Sequence, residues 1–198
     1  MKHRWLGMAG LLLLLAELVL ILLSWILSAT GMEGVRSLLS SEGVRWFFGN
    51  FTVMVASPLL VWLLLFLIAL GTFQRSGLVG VLRRFSLPSY RDRIAMRMSL
   101  MLLVAYLVVI ALLTVFPHAI LLSATGQLFP SAFSRSLVPV VAFGVVLVSL
   151  TFGMMSGRFR TMDDILDVLS FGIQRGAPLL VLYILAIQFC QSLRFVFA

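Results

Sequence analysis

A single cysteine, Cys190, stands in a chain of 198 residues, which excludes an intrachain disulfide, a Cys-rich zinc site and an iron–sulfur centre held by this chain alone. A thiol in such a setting is read as a small apolar filler. The two histidines, His3 and His118, are far apart, and neither has a carboxylate or cysteine near it to complete a metal set. Charge is equally scarce. Charged residues make up 11% of the chain, against about 25% in an ordinary soluble domain. A water-soluble fold built from this composition would expose large apolar patches. A glycine-rich phosphate loop is also missing, since the Ser-Gly pairs at Ser76 and Ser156 lie in polar connections without the strand and helix such a loop needs. No nucleophile stands beside a base, so the chain is read as a non-enzyme with no metal and no cofactor.

Acidic residues are the rarest charge: seven against fifteen basic, a net +8. An excess of this size could indicate a nucleic-acid partner. The basic residues, however, cluster between apolar blocks, which is how membrane topology is written and not how a binding groove is built. No nucleic acid is expected as a partner.

What the chain has in abundance is apolar surface: 62% hydrophobic residues and a mean hydropathy of +1.14. At roughly 20 residues per crossing, this length accommodates about four to six spans once connections are subtracted. Lys2, His3 and Arg4 precede an apolar run over 5–29 that is interrupted by Glu17, Ser24 and Ser28. A signal peptide shares the basic start, yet its apolar region is usually about 7–15 residues and has no central acid, so a retained first transmembrane helix is expected. Further spans are expected over 52–73, 98–116, 137–155 and 178–197. The expected fold is therefore all-α: one polytopic membrane domain over 1–198 with about five transmembrane helices.

Three short amphipathic segments are expected at the lipid–water boundary, the first of them as one or two helices. Over 33–50, balanced charges alternate with Val35, Leu38 and Val44, and the aromatics Trp46, Phe47 and Phe48 lie at the far end. Ser40 or Ser41 caps its second part, with Glu42 in the first turn. Over 77–86, an apolar stripe lies beside arginines, as on an anionic inner leaflet. Over 162–174, Thr161 and Asp164 have the spacing of a capping box, and Arg175-Gly-Ala-Pro178 is expected to turn the chain into the last span. The connection 119–133 is neither a clear helix nor a soluble loop.

With five spans and the amino terminus inside, eleven basic residues fall on the inner side and four, Arg36, Arg45, Arg135 and Arg194, on the outer. The positive-inside rule selects that orientation, with the carboxyl terminus outside.

Few polar residues lie within the spans. Glu17 is the one acid deep in a span, and an unpaired carboxylate in hydrocarbon is costly, so it is expected to be protonated, paired or facing a polar interior. Gln188 and Gln191, three apart, are expected on one helical face, bonded to Ser24, Ser28 or another chain. These three residues form the candidate intramembrane polar site. Ser149, Gly153 and Gly157, at intervals of four, form a candidate packing face for another helix, within the chain or in a second copy. The expected partners are the lipid bilayer and either further copies, as a dimer or trimer, or another membrane subunit.

Three stretches, Leu38–Phe51 (LLSSEGVRWFFGNF), Ser76–Arg83 (SGLVGVLR) and Ala177–Phe189 (APLLVLYILAIQF), resemble segments of the aminobenzoyl-glutamate transporter (AbgT) family. The first two occur in that order near the family's amino end and the third much further along. The resemblance implies a bacterial inner-membrane secondary carrier, dimeric, with inverted repeats and re-entrant hairpins, moving aminobenzoyl-glutamate or similar aromatic anions by ion coupling. Members of that family are considerably longer. Their middle, with the hairpins and the polar residues that hold substrate and ion, has no counterpart between Phe85 and Arg158, so no ligand residue carries over. The resemblance thus implies a shortened AbgT-like protein that transports as an oligomer or serves as a non-transporting scaffold or accessory subunit.

Overall fold

The computed structural model describes residues 2–32, 34–84, 89–115 and 132–197. Among these, all regular structure is helical: α1 (Lys2–Ala29), α2 (Ser41–Val55), α3 (Pro58–Ser76), α4 (Leu78–Arg84), α5 (Tyr90–Val115), α6 (Ala132–Met155) and α7 (Met162–Val196). Five of them, α1, α3, α5, α6 and α7, are long and apolar enough to cross a membrane. The protein is an all-α polytopic membrane protein.

Its burial pattern is that of a chain dissolved in lipid. Of the eight largest side chains that are fully enclosed, six are serine or threonine: Ser24, Thr72, Ser76, Ser99, Ser149 and Ser192. The leucines of α1, by contrast, stand about half exposed along most of its length. In water this arrangement would be inverted. In hydrocarbon, leucine gains nothing by burial, whereas small polar side chains let helices approach and find hydrogen-bond partners.

Several boundaries differ from those expected of the sequence. Of the one or two short helices anticipated over 33–50, the described residues hold one, which begins at Ser41. Gly34 has φ +83°, and the hydroxyls of Ser37 and Ser40 bond to backbone groups within 37–40, competing with helical bonds. Ser40 is the N-cap of α2 and accepts from the Gly43 amide at 3.0 Å. That helix runs on to Val55, into the region expected to open the second span, and α3 starts afresh at Pro58, a residue suited to a first helical turn. The arginines Arg91, Arg93 and Arg97 belong to the first turns of α5, which begins eight residues before the expected span.

The larger difference is at Pro178. The segment 162–174 and the span 178–197 form one helix, α7, with Pro178 inside it. At about 1.5 Å per residue its 35 residues extend some 50 Å, well beyond the roughly 30 Å hydrocarbon core, so one helix has length for both a span and an amphipathic extension. Proline is tolerated inside membrane helices because other groups satisfy the carbonyl it frees. The capping box at the start of α7 is present: the Asp164 amide donates to Thr161 Oγ1, and Asp164 Oδ2 accepts from the amides of Arg160 and Thr161. The connection 119–133 lies, up to residue 131, outside the described residues, as does His118.

The chain divides into two units, Met1–Val61 with Gly176–Ala198, and Trp62–Arg175. The first is built on Leu20, Leu38, Phe195 and Val196, joining α1, the loop after it and the end of α7. The second is built on Leu78, Val81, Ala95 and Phe152, from α4, α5 and α6. There Arg158 donates to the Ser76 carbonyl at the end of α3 and stands 4.0 Å from Asp92 of α5, while Tyr106 of α5 donates to the Val140 carbonyl of α6 at 2.8 Å.

Candidate functional site

Gly10, Glu17 and Ser24 recur at intervals of seven along α1, the spacing that keeps residues on one face of a packed helix. In the first unit that face meets the carboxyl-terminal half of α7. Gly10 faces Leu182 and Leu185, Leu20 packs with Phe195 and Val196, and Ser24 Oγ accepts from the Leu38 amide at 3.1 Å. Glu17 is the one ionisable group on this contact.

Its partner is Ser192 of α7, whose hydroxyl donates to Glu17 Oε1 at 2.6 Å. One turn earlier on α7, Gln188 Nε2 donates to Ser192 Oγ at 3.4 Å. Ser192 therefore accepts from the amide and donates to the carboxyl, linking three side chains in one line. Two acceptors are left over: Glu17 Oε2 and Gln188 Oε1 are buried without a hydrogen-bond partner. The cluster thus has two buried oxygens with unused lone pairs, an arrangement that can take a proton or a small cation. Among the described residues no group of three or more His, Cys, Asp or Glu side chains could hold a metal ion.

The structure divides the expected polar site. Glu17 and Gln188 come together through Ser192, a residue the sequence did not single out. Its signal was the i, i+4 spacing from Gln188, on the face opposite a helix that carries an acid. Gln191 goes elsewhere, lining a cavity at the end of this unit with Arg36, Arg45 and Arg194. Ser24 bonds to neither glutamine: its hydroxyl donates to the Ile21 carbonyl and accepts from the Leu38 amide. Cys190 is exposed.

The expected packing face at Ser149, Gly153 and Gly157 is not a continuous helix face. Helix α6 ends at Met155, and Gly157 (φ +76°) is its left-handed terminator: the Gly157 amide donates to the Met154 carbonyl and the Arg158 amide to the Gly153 carbonyl, the two bonds of a Schellman motif. That turn folds the chain back so that the Phe159 ring covers Gly153. Ser149 is buried. The close helix approach in the second unit lies elsewhere, at Gly71 of α3 and Gly172 of α7, where a Cβ on either glycine would overlap the other helix's backbone.

A second polar junction in the first unit lies at the break between α2 and α3. The hydroxyls of Ser57 and Tyr183 hydrogen-bond to each other, and Tyr183 Oη lies 3.5 Å from the Val55 carbonyl, which also accepts from the Ser57 amide at 2.8 Å. In the second unit, two cavities of about 460 and 290 Å³ flank α6 and are lined almost wholly by apolar side chains, among them Phe73, Val141 and Val145. No family model, no curated protein and no solved structure matches this chain.

Proposed function

We propose that the protein is a shortened AbgT-like carrier of small organic or aromatic anions, acting as an oligomer in a bacterial inner membrane with its amino terminus inside. The observation that carries this reading is the Glu17–Ser192–Gln188 cluster, where an acid deep in a span keeps one oxygen bonded and one buried without a partner. Carriers couple substrate movement to an ion that binds where polar groups are held within the bilayer. In this reading Glu17 takes the coupling proton or cation, Ser192 orients its carboxyl, and the Gln188 carbonyl supplies a further oxygen. The resemblance of three stretches to AbgT segments supports the anion class, and the charge asymmetry supports the orientation.

One observation favours a second reading, a scaffold or accessory subunit that does not transport: neither Glu17 nor Gln188 lines any of the three cavities described here. Proteoliposomes under an imposed proton or sodium gradient separate the two. Gradient-dependent uptake of an aromatic carboxylate that is abolished in Glu17→Gln, with the oligomer size unchanged, is the expected result. No flux above empty vesicles would sink the carrier reading. Dissociation of the oligomer by the same substitution would assign the carboxyl to assembly.

A further inference from the structure

Three of the four arginines on the arginine-poor side of the positive-inside count, Arg36, Arg45 and Arg194, come together in the first unit. They line one cavity of about 630 Å³, bounded by the loop after α1, the first turns of α2 and the last turns of α7. The Arg36 amide donates to the Val196 carbonyl at 3.0 Å, holding the loop against the end of α7. Trp46 stacks on Phe195 with ring centroids 4.4 Å apart, and the Arg36 guanidinium lies 6.0 Å from the Phe195 centroid. Among the described residues a single carboxylate, Glu42, lines the cavity. Among the described residues none of the three guanidinium groups is ion-paired or makes a side-chain hydrogen bond.

Three like charges gathered round one cavity repel each other, and one exposed carboxylate outside pairing distance does not neutralise them. An anion between them would. Guanidinium groups match phosphate oxygens in a paired, fork-like geometry, which makes arginine the usual residue where such oxygens are held. The place also matters. The cavity lies at the last turns of α7, and its lining carries an apolar surface, the stacked Trp46 and Phe195, of which Trp46 is a residue type enriched at membrane interfaces. A soluble anion has no use for that apolar surface, whereas a ligand with hydrocarbon tails does.

We infer that this cavity binds the headgroup of an anionic phospholipid, its phosphodiester among Arg36, Arg45 and Arg194 and the start of its acyl chains against the stacked Trp46 and Phe195. The binding is independent of whether the chain transports anything. The test uses the full chain, purified in detergent, stripped of lipid and titrated with phosphatidylglycerol or phosphatidylcholine under native mass spectrometry. Phosphatidylglycerol is expected to bind about tenfold or more tightly than phosphatidylcholine, and the Arg45→Gln/Arg194→Gln double variant is expected to abolish the difference. Glu42→Gln, which removes the opposing carboxylate, is expected to tighten phosphatidylglycerol binding, a gain that misfolding would not produce. Equal binding of the two lipids, unchanged preference in the double variant, or no gain in Glu42→Gln would overturn the proposal. Displacement of phosphatidylglycerol by millimolar inorganic phosphate would overturn it too, by making the ligand a soluble anion.

Discussion

Glu17 illustrates how much one side chain in a span depends on its surroundings. An unpaired acid in hydrocarbon is expensive, so its neighbours can be anticipated in kind, and the structure supplies a hydroxyl from Ser192 backed by Gln188. Hydrogen bonds between membrane helices contribute modestly, on average about 0.6 and at most about 1.7 kcal/mol, because the separated helices also find partners. Ser192→Ala should therefore lower the stability of the protein by about 0.6–1.7 kcal/mol in reversible unfolding in mixed micelles. Cys190→Ser, two residues away and exposed, serves as the control and should leave the unfolding curve unchanged. That Glu17 and Gln188 would need polar partners was legible because polar residues are rare in spans. That Ser192 connects them was not, because serines are common in these spans and only the packing distinguishes one from another.

Among the helices, the glycines divide by what lies opposite them. The regular four-residue spacing of Ser149, Gly153 and Gly157 resembles a docking face, yet Phe159 from the same chain covers the middle position and the helix stops before the last. Gly71 and Gly172 carry no such local pattern, since they lie about a hundred residues apart, and they mark the place where two backbones touch. A methyl group at Gly172 would meet the Leu67 carbonyl and not the end of a flexible side chain, so the helices themselves would have to separate. Gly172→Ala should cost about 1–3 kcal/mol, the range for overpacking a filled contact. Gly80→Ala offers the comparison. Gly80 lies within α4 with nothing near its missing Cβ, and alanine there should gain up to about 1 kcal/mol from helix propensity. Thermal unfolding of the two variants side by side would check both signs.

At the scale of the whole molecule, five helices among the described residues are long and apolar enough to cross the bilayer, and the proposed five-span arrangement puts the two ends of the chain on opposite sides. The proposed orientation makes that testable by labelling. In a Cys190→Ser background, a cysteine at Arg36 should react with an impermeant maleimide on intact cells, whereas one at Arg93, in the first turn of α5, should react only after the membrane is opened. Labelling of both positions from the same side would disprove the span count between them. The two large apolar cavities beside α6 and the half-exposed leucines of α1 leave wide surfaces for lipid or further subunits, in keeping with an inventory that buries serine and exposes leucine.

The sequence by itself determined the solvent and the class of fold. Runs of apolar residues of bilayer length, separated by arginine clusters, permit only hydrogen-bonded helices in lipid, whatever contacts those helices make. It also determined local caps such as Ser40 and Thr161, whose partners are only a few residues away. Tertiary structure alone decided which polar residues meet. Gln188 and Gln191 are separated by less than one turn, yet one faces Glu17 through Ser192 and the other lines a cavity with three arginines. The reason is geometric: periodicity assigns a residue to a face, but what that face touches depends on helices distant in sequence.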